Sequence, residues 1–103
     1  MTEQLVKNYL RDLVNLFYKI LPMWENGTST LPTYIAELLS ELESFDAMFR
    51  YCDFDPNFMK LILTLKSFLT EPDMDLLIVR RRVFNAIGTT KAIYKRYCGE
   101  EMP

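Results

Sequence analysis

Carboxylates are the residues of this chain with the clearest potential for chemistry, and they occur in two patterns. Asp53, Asp55 and Asn57 alternate along a short polar stretch, as at the start of a calcium-binding loop. Such a loop requires glycine at its sixth position and glutamate at its twelfth, where this chain has Phe58 and Thr64. The three polar residues therefore indicate a turn in which Asp55 caps the following helix.

Glu37 and Glu41 form the second pattern, because a spacing of four residues places both carboxylates on one face of a helix. Bundles that hold two metal ions combine such glutamates with Glu-x-x-His motifs, and this chain contains no histidine. We therefore interpret the pair as part of a solvated acidic face, which Glu43 and Asp46 extend. No metal site is predicted.

The absence of histidine also removes the usual general base near neutral pH and every Ser-His or Cys-His nucleophile. Cys52 and Cys98 are far apart in the sequence and belong to no Cys-x-x-Cys motif, so they predict neither a zinc ribbon nor a redox pair. The sequence therefore predicts a protein that is not an enzyme and that binds no cofactor.

Half of the 103 residues are apolar, a quarter are charged, and the formal net charge is -2. This composition is too apolar for intrinsic disorder, and the length suits one compact domain whose core needs no disulfide or metal. Charged side chains such as Lys7, Arg11 and Asp12 interrupt the apolar stretch near the start, so neither a signal peptide nor a membrane span is predicted. We expect a cytoplasmic protein.

Apolar residues recur at intervals of three and four through most of the chain, as Val6, Leu10 and Leu13 do. Four amphipathic helices are predicted, and they span residues 3–24, 32–52, 56–70 and 72–98. Turns of about four to seven residues favour antiparallel neighbours. The predicted fold is therefore an all-α, antiparallel four-helix bundle with up-down-up-down connections, which forms a single domain over residues 1–103.

The last predicted helix has a distinctive charge pattern. It holds half of the 12 basic residues of the chain and no acidic residue between Leu76 and Gly99. At about 100° per residue, five of its six basic side chains project into one broad sector together with Leu77 and Phe84, while Arg82 points elsewhere. We predict a partner-binding surface that consists of Arg80, Arg81, Phe84, Lys91, Tyr94, Lys95 and Arg96.

Two other interpretations of this basic sector stay open. The acidic face of the second helix, which includes Glu37, Glu41 and Glu43, would neutralise the sector if the two faces were neighbours in the bundle. The sector would alternatively bind nucleic acid, but a net charge of -2 lacks the basic field that phosphate binding usually needs. Nucleic acid is therefore disfavoured as a partner.

Gly88 lies in the middle of the last predicted helix, where glycine costs about 1 kcal/mol relative to alanine. We expect either that another helix packs closely against it, which we favour, or that the helix bends or breaks at residues 88–90. The helix is predicted to end near Gly99, and the tail that follows is expected to be loose.

These features predict a non-catalytic protein–protein interaction module, a small helical bundle that acts as an inhibitor, immunity-type factor, chaperone or regulator of a partner protein. One alternative is a sensor or carrier that encloses a small apolar ligand between its helices. Another is a structural protein that self-associates, for example as a homodimer in which the basic sector of the last helix contacts the acidic second helix of another copy and which salt should weaken. In length and four-helix outline the chain is similar to the small immunity proteins that protect bacteriocin producers, and that outline by itself assigns no family.

Overall fold

The computed structural model of this chain describes residues 3–49 and 57–102, which form five α-helical segments. They are α1 (Glu3–Tyr18), α2 (Ile20–Glu25), α3 (Leu31–Phe49), α4 (Asn57–Thr70) and α5 (Leu76–Cys98). No strand occurs in these residues. Because α1 and α2 form one arm, the fold is an antiparallel four-helix bundle, and this confirms the predicted fold class.

The first arm is divided into two helical segments at Lys19, whereas the sequence predicts an unbroken helix over residues 3–24. Lys19 keeps helical dihedral angles (φ -64°, ψ -21°), and its N–H donates to the carbonyl of Asn15 at 3.2 Å. Pro22 has no N–H to donate to the carbonyl of Tyr18, and its ring crowds that carbonyl. The proline therefore explains why α1 ends at Tyr18 and a short second helix follows.

Contacts between residues at opposite helix ends show that neighbouring arms run antiparallel. Lys7, near the start of α1, forms an ion pair of 3.2 Å with Glu100, just after α5. Phe45, near the end of α3, packs against Phe58 at the start of α4, with ring centroids 5.5 Å apart. Helix α5 packs against α1, α2 and α4, whereas α3 packs against α2 and α4. Helices α3 and α5 therefore occupy diagonal positions in the bundle.

One continuous apolar core joins the four arms. Phe17, Phe58 and Phe68 are the largest fully buried side chains in it. Burial of each such side chain contributes about 1.5–3 kcal/mol relative to exposure, so the core dominates the stability of the bundle. The buried apolar residues among those described are Val6, Leu10, Leu13, Val14, Phe17, Ile20, Ile35, Leu38, Leu42, Phe45, Phe58, Leu61, Ile62, Leu65, Phe68, Val79, Val83, Ala86, Ile87, Ile93 and Tyr94.

Helix α5 begins at Leu76, four residues later than the sequence predicts. Asp75 is the N-cap: it has extended backbone angles (φ -59°, ψ 137°), and its carboxylate accepts a hydrogen bond from the N–H of Leu77 at 3.4 Å. Pro72 and Asp73 lie in the preceding turn and are not part of the helix. The capping preference of aspartate outweighs the preference of proline for the first helical position.

The other helix boundaries lie within about one residue of the prediction where the structure describes them. Gly27 adopts a positive φ of 61° in the turn after α2, which glycine accommodates without steric cost, and α3 begins at Leu31. The predicted end of the second helix at Cys52 lies outside the described residues. The predicted cap at Asp55 and the start of the next helix at Pro56 lie outside them as well.

The tail after α5 is anchored, whereas the sequence predicts that it is loose. Gly99 ends the helix in the left-handed conformation, with a φ of 77°. The next residue, Glu100, pairs with Lys7, and Met102 is partly buried against the core. The tail therefore packs along the end of the bundle, because the left-handed turn at Gly99 directs it back to α1.

Two tyrosines join α1 to α3, and their hydroxyl groups differ in hydrogen bonding. Tyr34 donates its O–H to the carbonyl of Leu16 at 2.7 Å. Tyr9 stacks on Phe45 with ring centroids 4.1 Å apart, and its buried hydroxyl has no hydrogen-bond partner among the residues described. Burial raises the pKa of both phenols above the usual 10.0, and the carboxylate of Glu41 raises it further.

Removal of the two hydroxyl groups is expected to have opposite effects on stability. Tyr9→Phe removes an unpaired buried hydroxyl and should raise the free energy of unfolding by about 1 kcal/mol. Tyr34→Phe leaves the Leu16 carbonyl without this hydrogen-bond donor and should lower the free energy of unfolding by about 1 kcal/mol. Urea unfolding of both variants at neutral pH measures the difference, and equal losses in the two would contradict this assignment of the hydrogen bonds.

The pH dependence of the Tyr9 effect tests the same assignment. The pKa of Tyr9 is 10.0 in the unfolded chain and higher in the folded one, so its contribution to stability is complete below pH 10 and is lost as the pH rises toward the folded value. The advantage of Tyr9→Phe over the wild type should therefore grow above about pH 10, by at most about 1.4 kcal/mol per pH unit.

Candidate functional site

The exposed face of α5 carries most of the residues that the sequence singles out. Val79, Val83 and Ile87 bury one side of the helix in the core, and this holds the opposite side in solvent. Six of the seven predicted partner-binding residues are exposed there: Arg80, Arg81, Phe84, Lys91, Lys95 and Arg96. The term α5 surface is used below for these exposed residues of the helix: Leu77, Arg80, Arg81, Phe84, Gly88, Lys91, Lys95 and Arg96.

Tyr94 is the exception and corrects the prediction. Its side chain is 3% exposed and lies in the core, so its ring is not available to a partner. The reason is helical spacing, since Tyr94 follows Val83 and Ile87 on the same buried stripe. Tyr97, three residues later, is 39% exposed, because the last turn of α5 extends beyond the centre of the core.

An aromatic pair lies at the edge of the α5 surface. Phe84 is 47% exposed and meets Tyr18 of α1 edge to face, with ring centroids 5.9 Å apart and an interplanar angle of 80°. Tyr18 is itself exposed, and so is Leu77, two helical turns before Phe84. Helical periodicity does not predict the role of Tyr18, because it depends on which helix packs against α1. The surface therefore has apolar groups among its cations.

Three cations of the α5 surface have no neutralising partner. Arg80, Arg81 and Lys91 have no carboxylate within ion-pair distance in the part of the chain that the structure describes. Lys95 lies 3.5 Å from Glu101 of the tail, in an exposed pair that contributes little. The α5 surface therefore presents uncompensated positive charge to solvent.

Arg82 points away from this surface, as its position in the helix predicts. Its guanidinium donates to the carboxylate of Glu71 at 3.2 Å and so connects α5 to the residue that follows α4. Both side chains are substantially exposed, so this pair is worth at most about 1 kcal/mol.

The acidic face of α3 does not neutralise the α5 surface. Glu37, Glu41 and Glu43 are exposed on the outside of α3, which is diagonal to α5. Within residues 3–49 and 57–102, these carboxylates form no ion pair. The interpretation that the two faces compensate each other inside the bundle is therefore wrong, and the molecule separates its charges onto opposite sides.

Small side chains flatten the outside of α3. A shallow depression, open to solvent, follows the helix between the acidic residues. It is lined by Ala36, Leu39, Ser40, Glu43, Ser44 and Ala47. The acidic face therefore combines carboxylates with a strip of small side chains.

Neither of the two explanations that the sequence suggests accounts for a glycine at position 88. Helix α5 continues unbroken from Leu76 to Cys98, so no break occurs at residues 88–90. No helix packs closely against the glycine, because a Cβ atom placed there would have no heavy atom within 4 Å. Gly88 is exposed on the α5 surface between Phe84 and Lys91, where it leaves the backbone uncovered.

A second concave region lies at the end of the bundle where α2, α3 and α4 meet. Its apolar walls enclose about 210 Å³. Trp24 forms one wall, fixed by a hydrogen bond of 3.2 Å from its Nε1–H to the carbonyl of Met74 and by an edge contact with Phe68. The cleft is lined by Trp24, Gly27, Thr28, Leu31, Pro32, Ile35, Phe68, Leu69 and Pro72.

Few other groups in the described residues suggest chemistry. No three His, Cys, Asp or Glu side chains among them gather as metal ligands would. The buried hydroxyl of Thr90 donates to the carbonyl of Ala86 at 2.8 Å, so its hydrogen-bonding potential is used. None of the described helices is both long and apolar enough to cross a membrane.

Comparison of the chain with protein-family models, with curated proteins and with solved structures finds no match. The assignment of a site therefore depends on geometry and charge alone. By those criteria, two candidate binding sites stand out in the described residues: the α5 surface and the concave region walled by Trp24, which we call the Trp24 cleft.

The open surroundings of Gly88 predict that alanine is tolerated there. Gly88→Ala should raise the free energy of unfolding by up to about 1 kcal/mol, because alanine loses less conformational entropy and meets no atom. Gly99→Ala is the matched control and should lower it by about 1 kcal/mol, since Gly99 has a positive φ. Urea unfolding distinguishes the two, and a destabilised Gly88→Ala variant would contradict the open geometry.

Proposed function

We propose that this protein is a non-catalytic protein–protein interaction module that binds its partner through the α5 surface. The observation that carries the proposal is the combination of exposed apolar side chains with unpaired cations on one rigid helix. Arginine and aromatic residues are enriched where interfaces derive most of their binding energy. Phe84, Tyr18 and Leu77 supply the apolar contacts, and Arg80 and Arg81 supply the charge.

The uncompensated charge indicates the chemistry of the partner. Opposite charge across an interface accelerates association and selects among partners. A protein with carboxylates around an apolar patch therefore fits the α5 surface. Nucleic acid fits less well, because the net charge is -2 and the carboxylates of α3 repel phosphates.

A binding role is supported by the lack of histidine, which removes the commonest general base and metal ligand. Cys52 and Cys98 belong to no Cys-x-x-Cys motif, and two such cysteines fit a reducing compartment such as the cytoplasm. Within this proposal the module acts on its partner as an inhibitor, immunity-type factor, chaperone or regulator.

Charge reversal on the α5 surface tests the proposal. Arg81→Glu with Lys91→Glu should abolish the complex that native mass spectrometry detects for the tagged protein recovered from its own cells. Lys60→Glu with Lys66→Glu is the matched control, because it changes the net charge equally at exposed lysines of α4. Both double variants should unfold at nearly the wild-type urea concentration, since exposed charges contribute little to stability.

The two double variants distinguish the possible outcomes. Loss of the complex in the α5 variant, with retention in the α4 variant, supports the α5 surface as the binding site. A complex that survives in both variants, or the absence of any complex with the wild type, contradicts it.

The Trp24 cleft favours a second candidate function, the binding of a small apolar ligand. Its volume of about 210 Å³ exceeds that of an engineered apolar cavity of about 150 Å³ that binds benzene. It is below the roughly 300–1,000 Å³ of typical ligand sites, so only a compact molecule such as a monocyclic aromatic fits.

Trp24 is the single tryptophan of the chain and so reports on this cleft directly. Saturating toluene should shift its fluorescence emission and raise the melting temperature, because a ligand that binds only the folded state stabilises it. Leu31→Phe narrows the cleft and should reduce both effects. Unchanged emission and melting temperature in the wild type would rule out this candidate.

A further inference from the structure

We propose that the partner of the α5 surface is the acidic face of α3 on a second copy of this chain. This inference rests on the proposed function, because it requires that the α5 surface bind protein. It goes further in that it identifies the partner. The α3 face is defined by the exposed residues Ala36, Glu37, Ser40, Glu41, Glu43, Ser44 and Ala47.

The first argument is charge. Each face holds groups that form no ion pair with any residue in the ranges 3–49 and 57–102: Arg80, Arg81 and Lys91 on α5, and the three glutamates on α3. The faces lie at diagonal corners of the bundle, so one molecule is unable to bring them together. A second molecule is able to do so, and opposite charge favours that arrangement.

The charges of the α5 surface and the α3 face disfavour a two-fold symmetric dimer. A two-fold symmetric dimer uses one and the same patch of both copies, and the α3 face and the α5 surface, at diagonal corners of the bundle, do not lie in one patch, so each would meet its own copy. Two α5 surfaces would then oppose cation to cation, and two α3 faces would oppose carboxylate to carboxylate. Like charges in contact are unfavourable, so the interface must join two different faces.

The second argument is shape. Leu77 and Phe84 project from α5 at a spacing of seven residues, about 10 Å along the helix. The strip of small side chains on α3 extends from Ala36 to Ala47, about 16 Å, so both side chains fit within its length. Glu43 lines the strip itself, where it would meet the cations that surround Phe84.

Gly88 provides a third argument. It is exposed one helical turn after Phe84, and nothing in its own molecule packs on it. Ala92 follows four residues later and is also exposed. Two small residues at this spacing let another helix approach the backbone closely, and this accounts for a glycine that weakens its own helix.

The interface joins different faces, so it leaves an α5 surface free at one end of each pair and an α3 face free at the other. Further copies then add in the same orientation. Such contacts generate a ring if the rotation closes and an open filament if it does not. Because the contacts are exposed and ionic, salt should weaken them.

Complementary charge reversal is the decisive experiment. Variant one carries Arg80→Glu, Arg81→Glu, Lys91→Glu and Lys95→Glu, which leaves Arg96 as the single cation of the α5 surface and makes that surface acidic. Variant two carries Glu37→Lys, Glu41→Lys and Glu43→Lys, which makes the α3 face basic. Sedimentation velocity over a range of protein concentrations, at about 0.01 M and about 1 M salt, follows association as the Debye length falls from about 30 Å to about 3 Å.

We expect the wild type to self-associate in low salt and to dissociate in high salt. Each variant alone should be monomeric, because its two faces carry the same charge. An equimolar mixture should associate again, because the acidic α5 of one variant meets the basic α3 of the other. Lys60→Glu with Lys66→Glu should associate like the wild type.

Three results would overturn this inference: a wild type that stays monomeric in low salt, association that either reversal leaves intact, or a mixture that stays monomeric. The proposed function fails separately. If the wild type is monomeric but native mass spectrometry shows a different protein that Arg81→Glu with Lys91→Glu releases, the α5 surface still binds protein and only the identity of the partner is wrong.

Discussion

Short connections between antiparallel helices place consecutive arms side by side, and this constraint puts α3 and α5 at diagonal corners of the bundle. The second arm is acidic on its outside and the fourth is basic, so diagonal placement separates the two charges across the width of the molecule. Had the arms been neighbours, exposed ion pairs would have neutralised both faces at little gain in stability. The location of the candidate site therefore follows from the topology.

The core makes the α5 surface rigid. Helix α5 packs against the α1–α2 arm and against α4, so its backbone is held by two neighbouring arms while its outer face stays in solvent. The backbone of such a helix is already ordered before a partner arrives, which reduces the conformational entropy lost on binding. Tyr18 adds to this order, because its edge contact restricts the Phe84 ring.

Two residues lower the stability of the isolated chain relative to simple substitutes. The hydroxyl of Tyr9 is buried and has no hydrogen-bond partner in the described part of the chain, and Gly88 occupies the middle of the exposed side of α5. The structure offers no compensation for the Tyr9 hydroxyl. Gly88 differs, since it lies on the α5 surface, where an uncovered backbone permits close packing by a second helix.

The sequence by itself determined the all-α fold, the number of arms and most of the core, because apolar spacing of three and four residues depends only on helical geometry. It also placed Arg80, Arg81 and Lys91 on the outside of the last helix. Tertiary structure decided which faces are neighbours: it joined Tyr18 to Phe84, anchored the tail through Glu100 and separated α3 from α5. Periodicity within one helix carries no information about which helix packs against it, so these contacts were beyond prediction from the pattern.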